Sequence, residues 1–246
     1  MLRQAPVLRR AYVGSIRAVQ PVARRVGLIS WLERRRDRRP LFWARSLFAI
    51  WDIEQMIALD IPWWTFDAID RVDAFLRATP KARVFEYGAG ASTIWLAKRA
   101  GSVAFVEHDR RWMDQLGPHL AGKAHVRGQL AEPVRSAAPA CPSEKPGWEG
   151  FDFAGYVAAI DRAGGPFDLV VVDGRARSHC LERAVANLAP GGIVVFDNSA
   201  RARYRPAIEA QAMKRLELRG LTPCLPYPDQ TTLLAADDRA ARLIGA

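Results

Sequence analysis

The chain has 246 residues, half of them apolar and a quarter charged, which predicts one globular domain of about 200 residues plus an extension. It contains no run of about 18 uncharged apolar residues, so we predict no membrane span. The three cysteines, Cys141, Cys180 and Cys224, are odd in number and widely spaced. This argues against a disulfide framework or a zinc site and favours a reducing, cytoplasmic environment.

The net charge of +10 resides in the first part of the chain. Residues 1–45 hold twelve arginines and only two acidic residues, Glu33 and Asp37, so the remainder is neutral overall. We predict that residues 1–40 form a basic N-terminal extension. Its arginine runs, residues 34–36 and 38–39, suit anionic lipid or RNA, although a solvated or packed extension is the simpler interpretation. The neutral remainder argues against a nucleic-acid-binding face on the domain itself.

Residues 41–80 are predicted to form a helical cap. Amphipathic helices are expected at residues 41–58 and 65–79, joined by Pro62, Trp63 and Trp64. Trp64 is a candidate substrate contact. The alternative for this tryptophan is core packing, because buried aromatic side chains mostly supply apolar area.

Residues 82–110 predict a β-α-β unit. An apolar strand is followed by the turn Gly88-Ala89-Gly90, a helix that Ser92 can cap, and a second strand ending on Glu107. The glycines allow a ligand to approach the backbone, and the free N–H groups of the helix face that ligand. A carboxylate at the end of the second strand can accept hydrogen bonds from ribose hydroxyls. The unit therefore predicts a site for a nucleoside-containing cofactor.

Strands and helices continue to alternate after this unit. Residues 167–172 are a continuous run rich in β-branched residues, typical of a strand buried on both faces, and a further strand at residues 193–196 ends in Asp197 and Asn198. Residues 203–219 predict a helix and residues 220–235 two short strands. We predict an α/β fold with a doubly wound, Rossmann-like sheet, mostly parallel with an antiparallel last strand, over residues 81–246, preceded by the N-terminal helical extension.

The order acid-x-Gly-x-Gly at Glu86, Gly88 and Gly90, with Glu107 ending the next strand, resembles motif I and its partner in class I S-adenosylmethionine-dependent methyltransferases. Phe-Asp-Leu-Val-Val-Val-Asp-Gly and Leu-Ala-Pro-Gly-Gly-Ile-Val-Val-Phe-Asp-Asn are similar to the motifs at that family's fourth and fifth strands. Val-Asp-Gly-Arg-Ala-Arg and Pro-Tyr-Pro-Asp-Gln-Thr resemble a bacterial branch of unassigned substrate. The resemblance covers residues 65–235.

The resemblance implies methyl transfer from S-adenosyl-L-methionine to a small-molecule acceptor, with a hydroxyl as the favoured group. It implies cofactor contacts from Glu86, Gly88, Gly90 and Glu107, and it places Asp173 at the mouth where donor and acceptor meet. Tyr87, Ser92, His108 and Asp173 are further candidate cofactor contacts. An acid at position 86 suits an ammonium group and would repel a pyrophosphate, and Thr93 replaces the third small residue of the dinucleotide fingerprint. The alternatives are an aminopropyl transferase of the same fold, a nicotinamide-dependent oxidoreductase, and a non-catalytic binding protein that acts through its basic tail.

The loops after the later strands supply the remaining candidates. Asp173 and His179 are candidate catalytic residues, and Arg175 and Arg177 are candidate clamps for an anionic acceptor, with surface ion pairing as the alternative. The positions of Asp173, Asp197 and Asn198 resemble the metal ligands of catechol-type O-methyltransferases, and three oxygen ligands suit Mg²⁺. The alternative is that Asp197 and Asn198 cap a turn. A homo-oligomer is compatible with the sequence.

Overall fold

The structure is a computed structural model that describes residues 6–50 and 52–246. Its N-terminal part is helical: α1 (Pro6–Arg25), α2 (Leu28–Glu33), α3 (Arg39–Leu47), α4 (Ile53–Leu59) and α5 (Phe66–Ala78). The described part of the basic extension is therefore mostly helical, with turns at residues 26–27 and 34–37, and its first five residues lie outside the described part. The helix predicted at residues 41–58 is divided between α3 and α4, and its position 51 is likewise outside the described residues.

Strands and helices alternate in the first half of the sheet. The elements are β1 (Arg83–Tyr87), α6 (Ala91–Ala97), β2 (Ser102–Glu107), α7 (Arg110–Leu120) and β3 (Val126–Leu130). A small hairpin of β4 (Val134–Arg135) and β5 (Phe151–Asp152) follows, with the short helices α8 (Ala154–Val157) and α9 (Ala159–Arg162) after it.

The second half of the sheet completes the fold. It contains β6 (Phe167–Val172), α10 (Arg177–Ala186), β7 (Leu188–Asp197), α11 (Arg205–Glu209), β8 (Lys214–Gly220), β9 (Asp229–Ala235) and α12 (Asp238–Ile244), with a 3₁₀ turn at Ala202–Tyr204. The helix predicted for residues 203–219 is wrong in its second half, which forms β8. There Leu216 and Leu218 alternate with exposed charged residues, the two-residue period of a strand with one covered face.

The seven-stranded sheet has the order β3-β2-β1-β6-β7-β9-β8. Strands β3, β2, β1, β6 and β7 pair in parallel, and β9 pairs antiparallel with both β7 and β8. The predicted sheet, mostly parallel with an antiparallel last strand, is confirmed. The chain progresses outward in one direction from β1 and in the other from β6. The carboxyl ends of these two strands therefore form the switch point where α/β sheets bind ligands.

Helices cover both faces of the sheet. On one face α5, α6 and α12 pack against inward residues such as Val84, Leu169 and Val195. On the other face α8, α9 and α10 cover Phe85, Val170 and Val194. The alternation along each strand thus serves two apolar cores, which explains the continuous apolar character of β6. Among the described residues, no helix has the length and apolar character needed to cross a membrane.

Candidate functional site

The loop between β1 and α6 is held against the loop after β6. Gly88 has φ of +90°, and a Cβ at this position would lie 2.8 Å from the Cα of Gly174. A side chain at position 88 would therefore be excluded both by the backbone conformation and by the neighbouring loop. At Gly90 a Cβ would find only the Ser92 hydroxyl, at 3.8 Å. The protein leaves space at Gly90 that a ligand can use.

Glu86 lies fully buried beneath this loop. Its carboxyl group accepts a hydrogen bond from the Ser92 hydroxyl and one of 2.5 Å from the Thr93 hydroxyl, and Thr93 in turn accepts from the Gly90 backbone N–H at 2.9 Å. Burial raises the pKa of Glu86 to about 8, and the two hydroxyl donors offset only part of that effect. At neutral pH the group is largely a neutral acid that a nearby cation would ionise.

Glu107, at the end of β2, contacts the same loop from the other side. Oε2 accepts from the Ala89 backbone N–H at 2.9 Å, and Oε1 accepts from those of His108 and Asp109 at 2.7 and 2.8 Å. Burial raises the pKa of Glu107, but His108 and these N–H donors outweigh it, so the net shift is downward. Glu107 is thus a buried, ionised acceptor, and Oε2 keeps one acceptor position for a ligand hydroxyl.

An aromatic cluster lies beside Glu107 and consists of His108, Trp148, Phe153 and Tyr156. The His108 ring centre is 5.2 Å from that of Trp148 and 6.1 Å from that of Tyr156. His108 Nδ1 lies 2.6 Å from Glu107 Oε1 without hydrogen-bond alignment, and both this nitrogen and Tyr156 Oη are buried with no hydrogen-bond partner among the described residues. Buried polar atoms without partners are uncommon, so the cluster has hydrogen-bonding capacity for a ligand.

Tyr87 contributes to the site through its backbone. Its side chain is fully buried in the second core and donates to the Val157 carbonyl oxygen at 2.7 Å, while its own carbonyl oxygen accepts from the Asp173 N–H at 3.0 Å. A cofactor contact of Tyr87, as predicted, would therefore come from its backbone. Trp64 is also fully buried, with its ring centre 5.8 Å from that of Trp95 in the first core. Core packing replaces the predicted substrate contact of Trp64.

Arg177 joins the ends of β6 and β7. Its guanidinium is buried and donates to Asp173 Oδ1 at 2.6 Å, to the Asp173 and Gly174 carbonyl oxygens at 2.8 and 3.2 Å, and to the Asp197 carbonyl oxygen. These bonds use most of the N–H donors of Arg177, so this residue stabilises the loop. It is poorly placed to clamp a substrate, which corrects the prediction that Arg177 binds an anionic acceptor. Burial raises the pKa of Asp173, and the arginines around it offset only part of the shift.

The predicted magnesium ligands have separate partners. Asp197 Oδ1 accepts from the Thr231 hydroxyl at 2.8 Å, and Asn198 donates to Asp229 at 3.2 Å from a backbone with φ of +53°. Burial, and then the neighbouring Asp173, hold the pKa of Asp197 well above its usual range. A divalent cation here would meet the buried guanidinium of Arg177 on Asp173 and an Asp197 oxygen already bonded to Thr231, an arrangement that does not fit Mg²⁺. Across residues 6–50 and 52–246, no three His, Cys, Asp or Glu side chains are placed to hold a metal ion.

Arg175 retains free binding capacity. Its guanidinium lies 5.7 Å from the Trp148 ring centre and its Nη1 donates to Gly174 at 3.3 Å, but its Nε is buried without a hydrogen-bond partner among the described residues. His179 lies half-buried in the first turn of α10, within electrostatic range of Asp152 in β5. The structure thus brings Arg175 to the cluster and places His179 towards the hairpin.

Two contributors were not recognised in the sequence as site residues. These are Trp148, in the loop of the β4–β5 hairpin, and Tyr156, in α8. A Cβ on Gly174 would lie 1.9 Å from the Tyr156 hydroxyl, so the tyrosine abuts the glycine loops. A tryptophan between two glycines, Gly147 and Gly150, in a loop otherwise rich in Ala and Pro was the one available signal for Trp148.

Comparisons with known proteins agree with this architecture. No protein-family model and no curated protein sequence matches the chain. Among solved structures, cofactor-bound Rv0187 from MTB is 19% identical with a TM-score of 0.52, covering 76% of this chain and 89% of that one. A methyltransferase-like protein from Silicibacter pomeroyi DSS-3 is 20% identical with a TM-score of 0.46 (71% and 93% covered). An rRNA methylase from Streptococcus thermophilus is 12% identical with a TM-score of 0.46 (69% and 95% covered).

The strand order, the antiparallel last strand and the similarity to Rv0187 establish the fold. The chain has the Rossmann-like fold of class I methyltransferases, with an N-terminal helical region.

Proposed function

We propose that this protein is an S-adenosyl-L-methionine-dependent methyltransferase. The observation that carries the proposal is the pair of buried carboxyl groups, Glu86 and Glu107, on either side of a glycine loop at the switch point of the sheet. One is a neutral acid that a cation would ionise, and the other is a charged acceptor with a position left for a hydroxyl. This pair complements a ligand that carries both an ammonium group and a ribose.

The residues present fit the cofactor. Glu86 would hold its ammonium group, Glu107 its ribose, and the aromatic cluster its adenine, with the unpartnered Tyr156 hydroxyl as a polar partner. When bound, the cofactor supplies an electrophilic methyl group on a sulfonium. A pyrophosphate would face the carboxyl group of Glu86, which disfavours the nicotinamide alternative.

We further propose a small-molecule acceptor with a hydroxyl and an anionic group. Asp173 Oδ1 accepts from Arg177, whereas no hydrogen bond among the described residues reaches Oδ2. A carboxylate with a raised pKa and a free oxygen can take the hydroxyl proton as a general base. Arg175, with its unpartnered Nε, would bind a carboxylate or phosphate of the acceptor. His179 is the alternative base.

Calorimetric titration with S-adenosylmethionine tests the cofactor assignment. We expect micromolar binding by the wild-type chain and a loss of about tenfold or more in Glu107→Gln, because the charged acceptor for the ribose is removed. Glu209→Gln, an exposed acid on α11, is the matched control and should bind normally. Absence of binding by the folded wild-type protein would refute the proposal. Binding of NAD instead would support the oxidoreductase alternative.

A further inference from the structure

We propose that the N-terminal helices bind this protein to an anionic lipid surface. The proposal rests on five exposed side chains of α1, α2 and their junction, which we call the apolar patch: Val19, Val22, Val26, Leu28 and Trp31. It is independent of the proposed methyl transfer.

The patch is unusual for this molecule. Val22 is 60% exposed and Val26 70% exposed. Among the residues whose side chains are described, the only other large apolar side chain exposed to this degree is Val134, in the β4–β5 hairpin. Single exposed apolar residues are ordinary, but five within thirteen residues of sequence indicate an interaction surface.

The helix α1, which carries Val19 and Val22 of the patch, is fixed to the protein by a different face. Tyr12 and Ile16 pack against the core cluster beneath α4, and Gln20 donates to the Phe48 carbonyl oxygen at 3.3 Å and to Gln55 at 3.2 Å. Val19, Val22 and Val26 have i, i+3, i+7 spacing, so they form a stripe beside this docked face. Binding at the stripe therefore does not require α1 to detach.

Arginines surround the patch. Five of them are exposed: Arg17, Arg24, Arg25, Arg34 and Arg38. The first acidic residue of the chain is Glu33, and its carboxylate is already paired with Arg36 and Arg45. The guanidinium of Arg35 lies 4.2 Å from the Trp31 ring centre. The other acidic residue of this region, Asp37, is exposed beside Arg38, so the surface around the patch has a net positive charge.

Charge and apolar character together favour lipid over the other anionic partners. Valine side chains have no complement in RNA, which offers phosphates and stacking bases. A second copy of the chain would bring like-charged arginines together. An anionic membrane surface satisfies both features, because arginines contact headgroup phosphates while valines and an interfacial tryptophan enter the acyl boundary.

Vesicle co-sedimentation of the full chain tests the proposal. We expect binding to phosphatidylcholine vesicles that contain phosphatidylglycerol, weaker binding to pure phosphatidylcholine, and loss of affinity with salt. Arg24→Gln should weaken binding about fivefold. Val26→Glu should weaken vesicle binding more. The matched control is Val134→Glu, which changes a valine that is 69% exposed and should leave vesicle binding unchanged. Each variant is first compared with wild type by circular dichroism.

Three results would overturn the proposal. One is equal vesicle binding by wild type and Val26→Glu. Another is binding of single-stranded RNA, measured by gel shift, without binding to anionic vesicles. The third is self-association, measured by sedimentation velocity, that Val26→Glu abolishes in a protein that does not bind vesicles.

Discussion

Two carboxyl groups at neighbouring strand ends have opposite protonation states. Glu86 is fully buried with only two hydroxyl donors, so burial dominates and its pKa rises to about 8. Glu107 experiences the same burial, but backbone N–H groups and His108 stabilise its charged form. The difference originates in the donors, since both side chains are almost completely buried. Because Glu86 is neutral until a cation binds, the empty site holds one negative charge from this pair, that of Glu107, and the pair can still bind a zwitterionic ligand.

This difference predicts that cofactor binding releases a proton. Below about pH 8 the free protein holds Glu86 protonated, whereas the bound ammonium favours the carboxylate. The affinity for S-adenosylmethionine should therefore fall by up to about tenfold per pH unit as the pH is lowered from 8. Above pH 8 the ionisation of Glu86 should no longer change this affinity. Calorimetry of S-adenosylmethionine binding in phosphate and in Tris at pH 7 measures the released proton.

Glu86→Gln should bind more weakly and release no such proton, while Glu209→Gln should behave as wild type. Equal binding enthalpies in the two buffers for the wild-type protein would contradict the assigned role of Glu86.

Arg177 is predicted to be a structural residue. Arg177→Met removes the cation and leaves Asp173 Oδ1 and three carbonyl oxygens, those of Asp173, Gly174 and Asp197, without this donor, so the unfolding free energy should fall by about 3–5 kcal/mol. Arg183→Met changes an arginine of the same helix whose side chain is 54% exposed, and should cost less than about 0.5 kcal/mol. Urea denaturation measures both. A loss of activity in Arg177→Met without loss of stability would instead indicate a direct substrate contact.

At the scale of elements, the sequence correctly predicted those helices and strands whose residue pattern lies within one continuous segment. The unit β1–α6–β2 follows from its strand, glycine turn and helix, and β6 follows from its apolar run. The strand β8 was missed because Leu216 and Leu218 are covered only by distant elements. The role of Arg177 was missed for the same reason, because the β7 end that it contacts, at Asp197, is twenty residues away. Sequence placed Asp173, Asp197 and Asn198 at one edge but could not show which partners satisfy them.

The β4–β5 hairpin is predicted to hold the adenine. Its loop brings Trp148 against His108, and Asp152 fixes the loop by accepting from the backbone N–H groups of Ala140 and Cys141, both at 3.0 Å. Trp148→Ala should weaken binding of S-adenosylhomocysteine by about tenfold or more, the usual value of aromatic stacking on a base. Trp31→Ala, an exposed tryptophan of α2, is the control. Unchanged affinity of Trp148→Ala in calorimetry would place the adenine elsewhere.

Across the whole molecule, charge and catalytic architecture occupy separate parts of the chain. The net positive charge belongs to residues 1–45, and none of the α1 side chains that the structure describes lies in the two cores of the sheet. The helix α1 contacts the smaller cluster that also includes Ala91, at the start of the helix after the glycine loop. The extension is thus attached next to the candidate cofactor site without forming part of it.

This separation predicts the result of deleting residues 1–27. The deletion removes partly buried Tyr12, Val13 and Ile16, and should lower the unfolding free energy by about 3 kcal/mol while both sheet cores remain. S-adenosylmethionine affinity should stay within about threefold of wild type, because the carboxyl groups of Glu86 and Glu107 keep their partners. Vesicle binding should be lost. A truncated protein that is folded by circular dichroism but no longer binds the cofactor would show that α1 supports the glycine loop through Ala91. Retained cofactor binding would place any methyl-transfer activity in the sheet domain, and would leave the extension to determine where that activity occurs.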